Sequence, residues 1–119
     1  MVDEGTAYSL ESAEELQTLI DRPDAEGAPV TDAPALRRDA LVDLRSQGAA
    51  GAELAEFVTR TLPDNGRSVP YYGEAATVDG VDVWVLLELW GSTGGTLDHV
   101  RIWVFDRTTG DILFSSTSR

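Results

Sequence analysis

The sequence predicts an α+β domain in which about three N-terminal helices pack on a four-stranded antiparallel β-meander. Apolar residues recur at helical spacing from about residue 9 to residue 62. From about residue 69 to residue 117 they alternate instead, among β-branched and aromatic residues, with turn sequences roughly every ten residues. Since 119 residues is the usual size of one domain, we assign residues 1–119 to a single domain with these two parts.

Three helices are expected in the first part. Ser12 and Glu15 have the spacing of a capping box, which opens a first helix that runs to about Asp21. The second and third helices are bounded by residues that favour helix ends. These are Thr31 or Asp32 as the cap and Gly48 as the stop of the second helix, and Ala50 as the start and Pro63 as the stop of the third.

The turns of the meander predict how its strands pair. Asp79-Gly80 fits a two-residue type I′ hairpin, in which Val78 faces Val81. The loop from residue 91 to residue 96 would pair Trp90 with Leu97, and the last turn, residues 107–110, would pair the residues at 106 and 111. In this register His99 lies opposite Glu88.

These pairings place apolar side chains on both faces of the sheet. The first face, which we expect the helices to cover, carries Val83, Val85, Leu87, Val100, Ile102, Val104 and Leu113. The second face carries Trp84, Leu86, Trp90, Leu97, Trp103, Phe105, Ile112 and Phe114. A helix or the N-terminal segment covers this second face, or it remains an exposed patch of the kind that marks a binding or dimer surface. Glu74 falls on the first face, which requires either a bulge or a partner such as an arginine.

The charge balance limits the possible partners. All nine basic residues are arginines, against 21 acidic residues, and the formal net charge is −12 at pH 7. Such a surface repels nucleic-acid backbones and anionic membranes and attracts basic proteins. With no cysteine, no apolar run long enough to span a bilayer and no signal-peptide pattern, we expect a soluble cytoplasmic protein, or a secreted one if a leader has been removed.

Polar residues that could carry chemistry are few. Glu88, His99 and Arg101 share the second face and could act as acid, base and anion clamp, although such residues also form plain charge ladders across strands. The chain has one histidine and none of the spacings typical of metal sites. We therefore assign no catalytic residue, metal or cofactor.

The turn around Asp106 has a counterpart in a known family. Asp106-x-x-Thr109-Gly110 followed by Asp111-Ile112-Leu113, after an alternating strand, resembles the hairpin of PepSY-type domains over about a quarter of the chain. The three-helix first half departs from the single short helix of that unit. The resemblance implies a noncatalytic inhibitory or regulatory module.

Three functional hypotheses follow. The first is a noncatalytic protein-interaction or regulatory module, with a protein partner or as a homodimer. Its binding residues would be Trp84, Trp90, Trp103, Phe105, Phe114 and Tyr71. The second is a small-molecule-binding or enzymatic cone-like α+β domain, with a pocket formed by Tyr71, Trp84, Glu88, His99 and Arg101. The third is an acidic mimic of a nucleic acid.

Overall fold

A computed structural model describes residues 2–9, 15, 25–62, 66–92 and 94–118. Within these residues the chain forms five strands, two α-helices and one turn of 3₁₀ helix at Val30–Asp32. The α-helices are α1, Ala33–Arg45, and α2, Gly48–Thr61. The strands are β1, Val2–Tyr8; β2, Ser68–Val78; β3, Val81–Trp90; β4, His99–Asp106; and β5, Ile112–Ser118.

The strands form one sheet in the order β1-β2-β3-β4-β5. Strands β2 to β5 make the predicted four-stranded antiparallel meander, so the α+β class is confirmed. Strand β1 was not predicted, and it adds a fifth strand that runs parallel to β2. Its sequence, with two acidic residues and Gly5 within seven residues, has low β propensity.

Two α-helices are found in the described residues, rather than the three predicted. The predicted first helix, Ser12–Asp21, lies outside the described residues apart from Glu15. The other two are found with shifted ends. Gly48, predicted to end the second helix, is the first residue of α2 and adopts a φ of 87°. Pro34 lies in the first turn of α1, where its missing N–H costs nothing. Pro63, the predicted end of the third helix, lies outside the described residues. Helix α1 has no side-chain hydrogen bond from Asp32, the predicted cap.

The first hairpin has the predicted register, because Val78 pairs with Val81 across Asp79 and Gly80, both of positive φ. The predicted pairing of β3 with β4 is wrong by two residues, since Trp90 pairs with His99. Leu97 bonds instead to the segment before α1: its N–H donates to the carbonyl of Ala28, and its carbonyl accepts from the N–H of Gly27. An even shift keeps every side chain on its predicted face, so only the cross-strand partners change.

The β4–β5 turn is built by Asp106. Its carboxylate accepts the N–H groups of Thr108 and Thr109 at 2.8 and 3.0 Å, and Gly110 follows with a φ of 81°. Phe105 pairs with Ile112 as predicted, but a bulge follows. The bulge moves Phe114 to the first face, opposite Val104. Leu113, predicted in the core, is 41% exposed.

Both faces of the sheet bury apolar residues, and the helices pack against both rather than against the first face alone. The residues buried on the first face, called here the valine face, pack with Val30 and Leu97 and with Ala33, Leu36 and Ala40 of α1. The second face, called here the aromatic face, carries Trp84, Leu86, Glu88 and Trp90 on β3 and His99, Arg101, Trp103 and Phe105 on β4. Leu41 and Leu44 of α1 and Leu54, Phe57 and Val58 of α2 pack against its Trp84, Leu86 and Phe105. Leu97 and Phe114, predicted here, belong to the valine face, and Ile112 is 56% exposed.

Glu74 is buried on the valine face with tyrosines as partners, rather than the suggested arginine. Its carboxylate accepts the hydroxyl of Tyr8 at 2.8 and 3.0 Å and that of Tyr72 at 3.3 Å. The register of β2 does shift, but between Pro70 and Tyr72, and Glu74 still pairs with Val85. Hydroxyl donors therefore stabilise a carboxylate that is 1% exposed and join β1 to the sheet.

None of the helices in the described part of the chain is long and apolar enough to cross a membrane.

Candidate binding site on the aromatic face

The aromatic face divides into a half covered by helices and a half that reaches the surface. Trp84 and Phe105 are 0% exposed, and the ring of Phe57 meets that of Phe105 edge-on at 5.0 Å. Toward the other end of the strands, Trp90, His99, Arg101 and Trp103 are half-buried, above a buried Glu88. Only this second half, called here the polar half, presents side chains to a ligand.

Arg101 lies at the centre of the polar half and is held in place by its neighbours. Its guanidinium carbon lies 5.0 Å from the ring centre of Trp90 and 5.4 Å from that of Trp103. Its Nε donates to Thr117 Oγ1 at 3.0 Å. The two terminal nitrogens donate no hydrogen bond to any residue that the structure describes. Arg101 is therefore a cation held by three neighbours, and its outer donors have no acceptor among the described residues.

Glu88 pairs with Arg101 across the strands and forms the floor of the polar half. Trp103 Nε1 donates to its Oε1 at 2.9 Å, and the Ser68 side chain also hydrogen-bonds to the carboxylate. Burial raises the pKa of Glu88 above its ordinary value, although these two hydrogen bonds and the charges of Arg101 and Arg37 oppose the shift. The carboxylate is thus buried, and its hydrogen bonds and the two arginines offset part of the cost of its burial.

His99 interacts with Trp90 and Asp98, and the prediction that it faces Glu88 is wrong. Its ring stacks on Trp90 with the centres 4.5 Å apart and the planes at 29°. Its Nδ1 lies 2.6 Å from Asp98 Oδ1, which is an ion-pair contact when the ring is protonated, but the two atoms are not aligned for a hydrogen bond. In the observed register Glu88 pairs with Arg101 and His99 pairs with Trp90, so Glu88 and His99 are not directly opposite each other.

A small pocket opens beside Arg101. It has a volume of about 90 Å³ and is lined by Arg67, Ser68, Glu88, Trp90 and Arg101. Trp90 Nε1 is buried and has no hydrogen-bond partner in the part of the chain described. A cavity of about 10–15 Å³ on this measure already holds one water molecule, so the pocket has room for a small polar group. Trp90 Nε1 has almost no accessible surface, so this N–H is not itself a contact point of the pocket.

The predicted site residues are thus brought together only in part. Glu88, Trp90, His99, Arg101 and Trp103 form one cluster. Trp84 and Phe105 are sealed beneath the helices, and Tyr71 and Phe114 pack in the valine-face core. The pocket predicted around Tyr71 and Trp84 does not form from those two residues.

Three residues of the site were missed by the sequence analysis. Arg67 and Ser68 line the pocket, and Arg37 of α1 acts on Glu88 while its Nη2 donates to the carbonyl of Leu62 at 2.6 Å. The shift in register between Pro70 and Tyr72 decides which face Ser68 joins. The sequence around Pro70 and Tyr72 gives no clear signal of this bulge, so the position of Ser68 could not be predicted. The sequence also does not show the direction in which α1 crosses the sheet, so the position of Arg37 could not be predicted.

A larger groove, of about 200 Å³, runs along the outside of α1. It is lined by Pro34, Arg37, Arg38, Leu41, Val42 and Arg45. All six residues belong to one helix at spacings of one to four residues, so the groove is the relief between side chains of a single helix. It lacks a second element to enclose a ligand.

Comparison with known proteins gives no relative from which a function could be transferred: no family model, no curated protein and no solved structure matches the chain.

Proposed function

We propose that this chain is a noncatalytic protein-interaction module that binds its partner through the polar half of the aromatic face. The observation that carries the proposal is Arg101, which lies between Trp90 and Trp103 and whose terminal nitrogens donate no hydrogen bond to a residue in the described part of the chain. Arginine and tryptophan are the residues that most often dominate binding energy at protein interfaces. Here all three are held by a sheet, so little side-chain entropy remains to be lost on binding.

A protein other than a second copy of this chain fits the site best. Two copies that each carry a net charge of −12 repel each other at long range. A partner with a basic surface around one acidic or polar contact would be attracted by the chain as a whole and would still satisfy Arg101. If the resemblance of the Asp106 turn to PepSY-type domains extends to function, the bound partner is inhibited or regulated.

Selection of random peptides on the purified protein tests this function. We expect enriched peptides whose affinity falls roughly tenfold or more in Arg101→Gln, because a charge-assisted contact between rigid groups is lost. Arg38→Gln is the matched control, since it removes the same charge from an exposed position on α1. Peptides that bind both variants equally well, or the absence of any enriched peptide, would contradict the proposal.

Light scattering on the same samples separates the two kinds of partner. A monomer at all concentrations supports a heterologous partner. A dimer that dissociates in Arg101→Gln but not in Arg38→Gln identifies a second copy as the partner and retains the same surface. A dimer that neither variant affects would show that self-association uses another surface, and peptide binding would then decide the function of the polar half.

A further inference from the structure

We infer that the pocket beside Arg101 is a binding site for one carboxylate group. This deepens the proposed function, because the carboxylate is then an acidic side chain or a chain terminus of the bound partner. The inference depends on the donors that converge on the pocket, on the charges around it and on its size.

The Arg101 guanidinium, which lines the pocket, keeps donors that have no acceptor among the described residues. Thr117 Oγ1 accepts from its Nε, and no hydrogen bond to a described residue uses its two terminal nitrogens. A planar group with two acceptor oxygens matches this arginine fork, whereas an amide carbonyl supplies only one oxygen.

The local charge favours an anion even though the whole protein is acidic. Arg67 and Arg101 line the pocket, and Arg37 lies close enough to lower the energy of the Glu88 carboxylate. Glu88 uses its oxygens on Trp103 and Ser68. Two arginines therefore line the pocket beside one buried glutamate, and the charge of a third, Arg37, acts on that glutamate. The volume of about 90 Å³ has room for a carboxylate.

The three tryptophans provide a direct measurement. In ¹H–¹⁵N NMR spectra each indole N–H gives a separate signal, which Trp→Phe variants assign. On titration with sodium acetate at constant ionic strength, we expect the Trp90 signal to shift to saturation, because its ring lines the pocket and contacts the Arg101 guanidinium. The signal of Trp84, which is 0% exposed, should stay in place. Acetamide, which has the same shape without the charge, should produce no saturating shift.

Substitutions then locate the site. Arg101→Gln should weaken acetate binding roughly tenfold or more, and Arg38→Gln should leave it unchanged. Inorganic phosphate at the same ionic strength should bind more weakly than acetate, because its second charge lies beside the Glu88 carboxylate. The inference is overturned if Trp90 does not respond to acetate, if acetamide acts equally, if phosphate binds more tightly, or if Arg101→Gln binds like the unaltered protein.

Two further ligands identify the source of the carboxylate. N-acetylglutamate N′-methylamide presents an acidic side chain within a peptide, and N-acetylglycine presents a chain terminus; preferential binding of either over acetate supports a protein source. If acetate binds at least as well as both and selected peptides do not bind, the pocket is a small-molecule site and the proposed function fails alone. If Arg101-dependent peptides bind but no carboxylate does, the interaction module stands and the carboxylate site fails.

Discussion

Two glutamates of the structure have pKa values displaced in opposite directions. Burial raises the pKa of Glu88, whose folded-state pKa therefore lies above the unfolded value. Arg107 donates to Glu53 through Nε at 2.8 Å and Nη2 at 3.0 Å, and this hydrogen-bonded pair lowers the pKa of Glu53. By linkage, the protein loses stability as pH rises from the unfolded-state pKa of Glu88 through its higher folded-state pKa. It gains stability as pH rises from the lowered folded-state pKa of Glu53 through its unfolded-state pKa.

Glutamine variants should show these opposite trends. Gln at position 88 can still accept from Trp103 and bond to Ser68, so Glu88→Gln should match the unaltered protein near pH 4 and become progressively more stable than it toward pH 7. Glu53→Gln should lose stability relative to the unaltered protein over the same rise, because only the ionised carboxylate pairs with Arg107. Urea unfolding at several pH values measures both. Parallel trends in the two variants would refute the assignment.

At the scale of elements, strand types and faces could be predicted more accurately than strand partners. The period of the side chains placed Trp84 and Val85 on opposite faces correctly, because a pairing error of two residues preserves the face. It could not reveal that Leu97 bonds to the segment around Ala28, a contact between residues distant in sequence. It also could not reveal the bulge at Leu113, which moves Phe114 to the opposite face of the sheet. In the site, the clustering of Glu88, Arg101 and their neighbours could be predicted from the alternation of side chains between faces. The positions of Arg67 and Ser68 could not, because they depend on the bulge between Pro70 and Tyr72.

The contact between α2 and β2 depends on a residue without a side chain. A Cβ atom added to Gly73 would lie 2.0 Å from Leu54 Cδ2, and Leu54 is 1% exposed. Gly73→Ala should therefore destabilise the protein by about 1–3 kcal/mol through overpacking. Leu54→Ala should cost about 2–5 kcal/mol by leaving a cavity.

The two changes should offset each other. In the Leu54→Ala background the new methyl group enters the vacated space, so Gly73→Ala should become neutral or slightly stabilising. A double-mutant cycle measured by urea unfolding gives the coupling. Equal costs of Gly73→Ala in both backgrounds would show that α2 does not pack on β2 through this contact.

For the molecule as a whole, the sequence could not show how the helices would pack on the two faces of the sheet. Both faces are apolar, and helix α1 presents Leu36 and Ala40 to the valine-face core while Leu41 and Leu44 join the aromatic one. The spacing of apolar residues predicts that a helix has a buried side, but it does not predict which of two apolar surfaces that side packs against. This arrangement buries Trp84 and Phe105 and leaves Arg101 at the surface. The proposed binding site is therefore the part of the aromatic face that the helices do not cover.

The acidic surface should oppose folding at low ionic strength. A net charge of −12 is confined to a molecule 28 Å across in its middle dimension, which is close to the Debye length of about 30 Å at 0.01 M salt. At pH 7, raising NaCl from about 0.01 M to about 1 M, where the Debye length is about 3 Å, should therefore raise the urea midpoint of unfolding with little change in slope.

Repeating the salt step near the isoelectric point separates this repulsion from general salt effects. At about pH 4.2 the net charge is close to zero, so the same step should leave the midpoint almost unchanged. The measurement requires dilute protein, because uncharged proteins associate. Salt also weakens the exposed Glu53–Arg107 pair, and this acts against the expected rise. An equal rise at both pH values would mean that salt acts on apolar burial, and that repulsion among the acidic residues contributes little to stability.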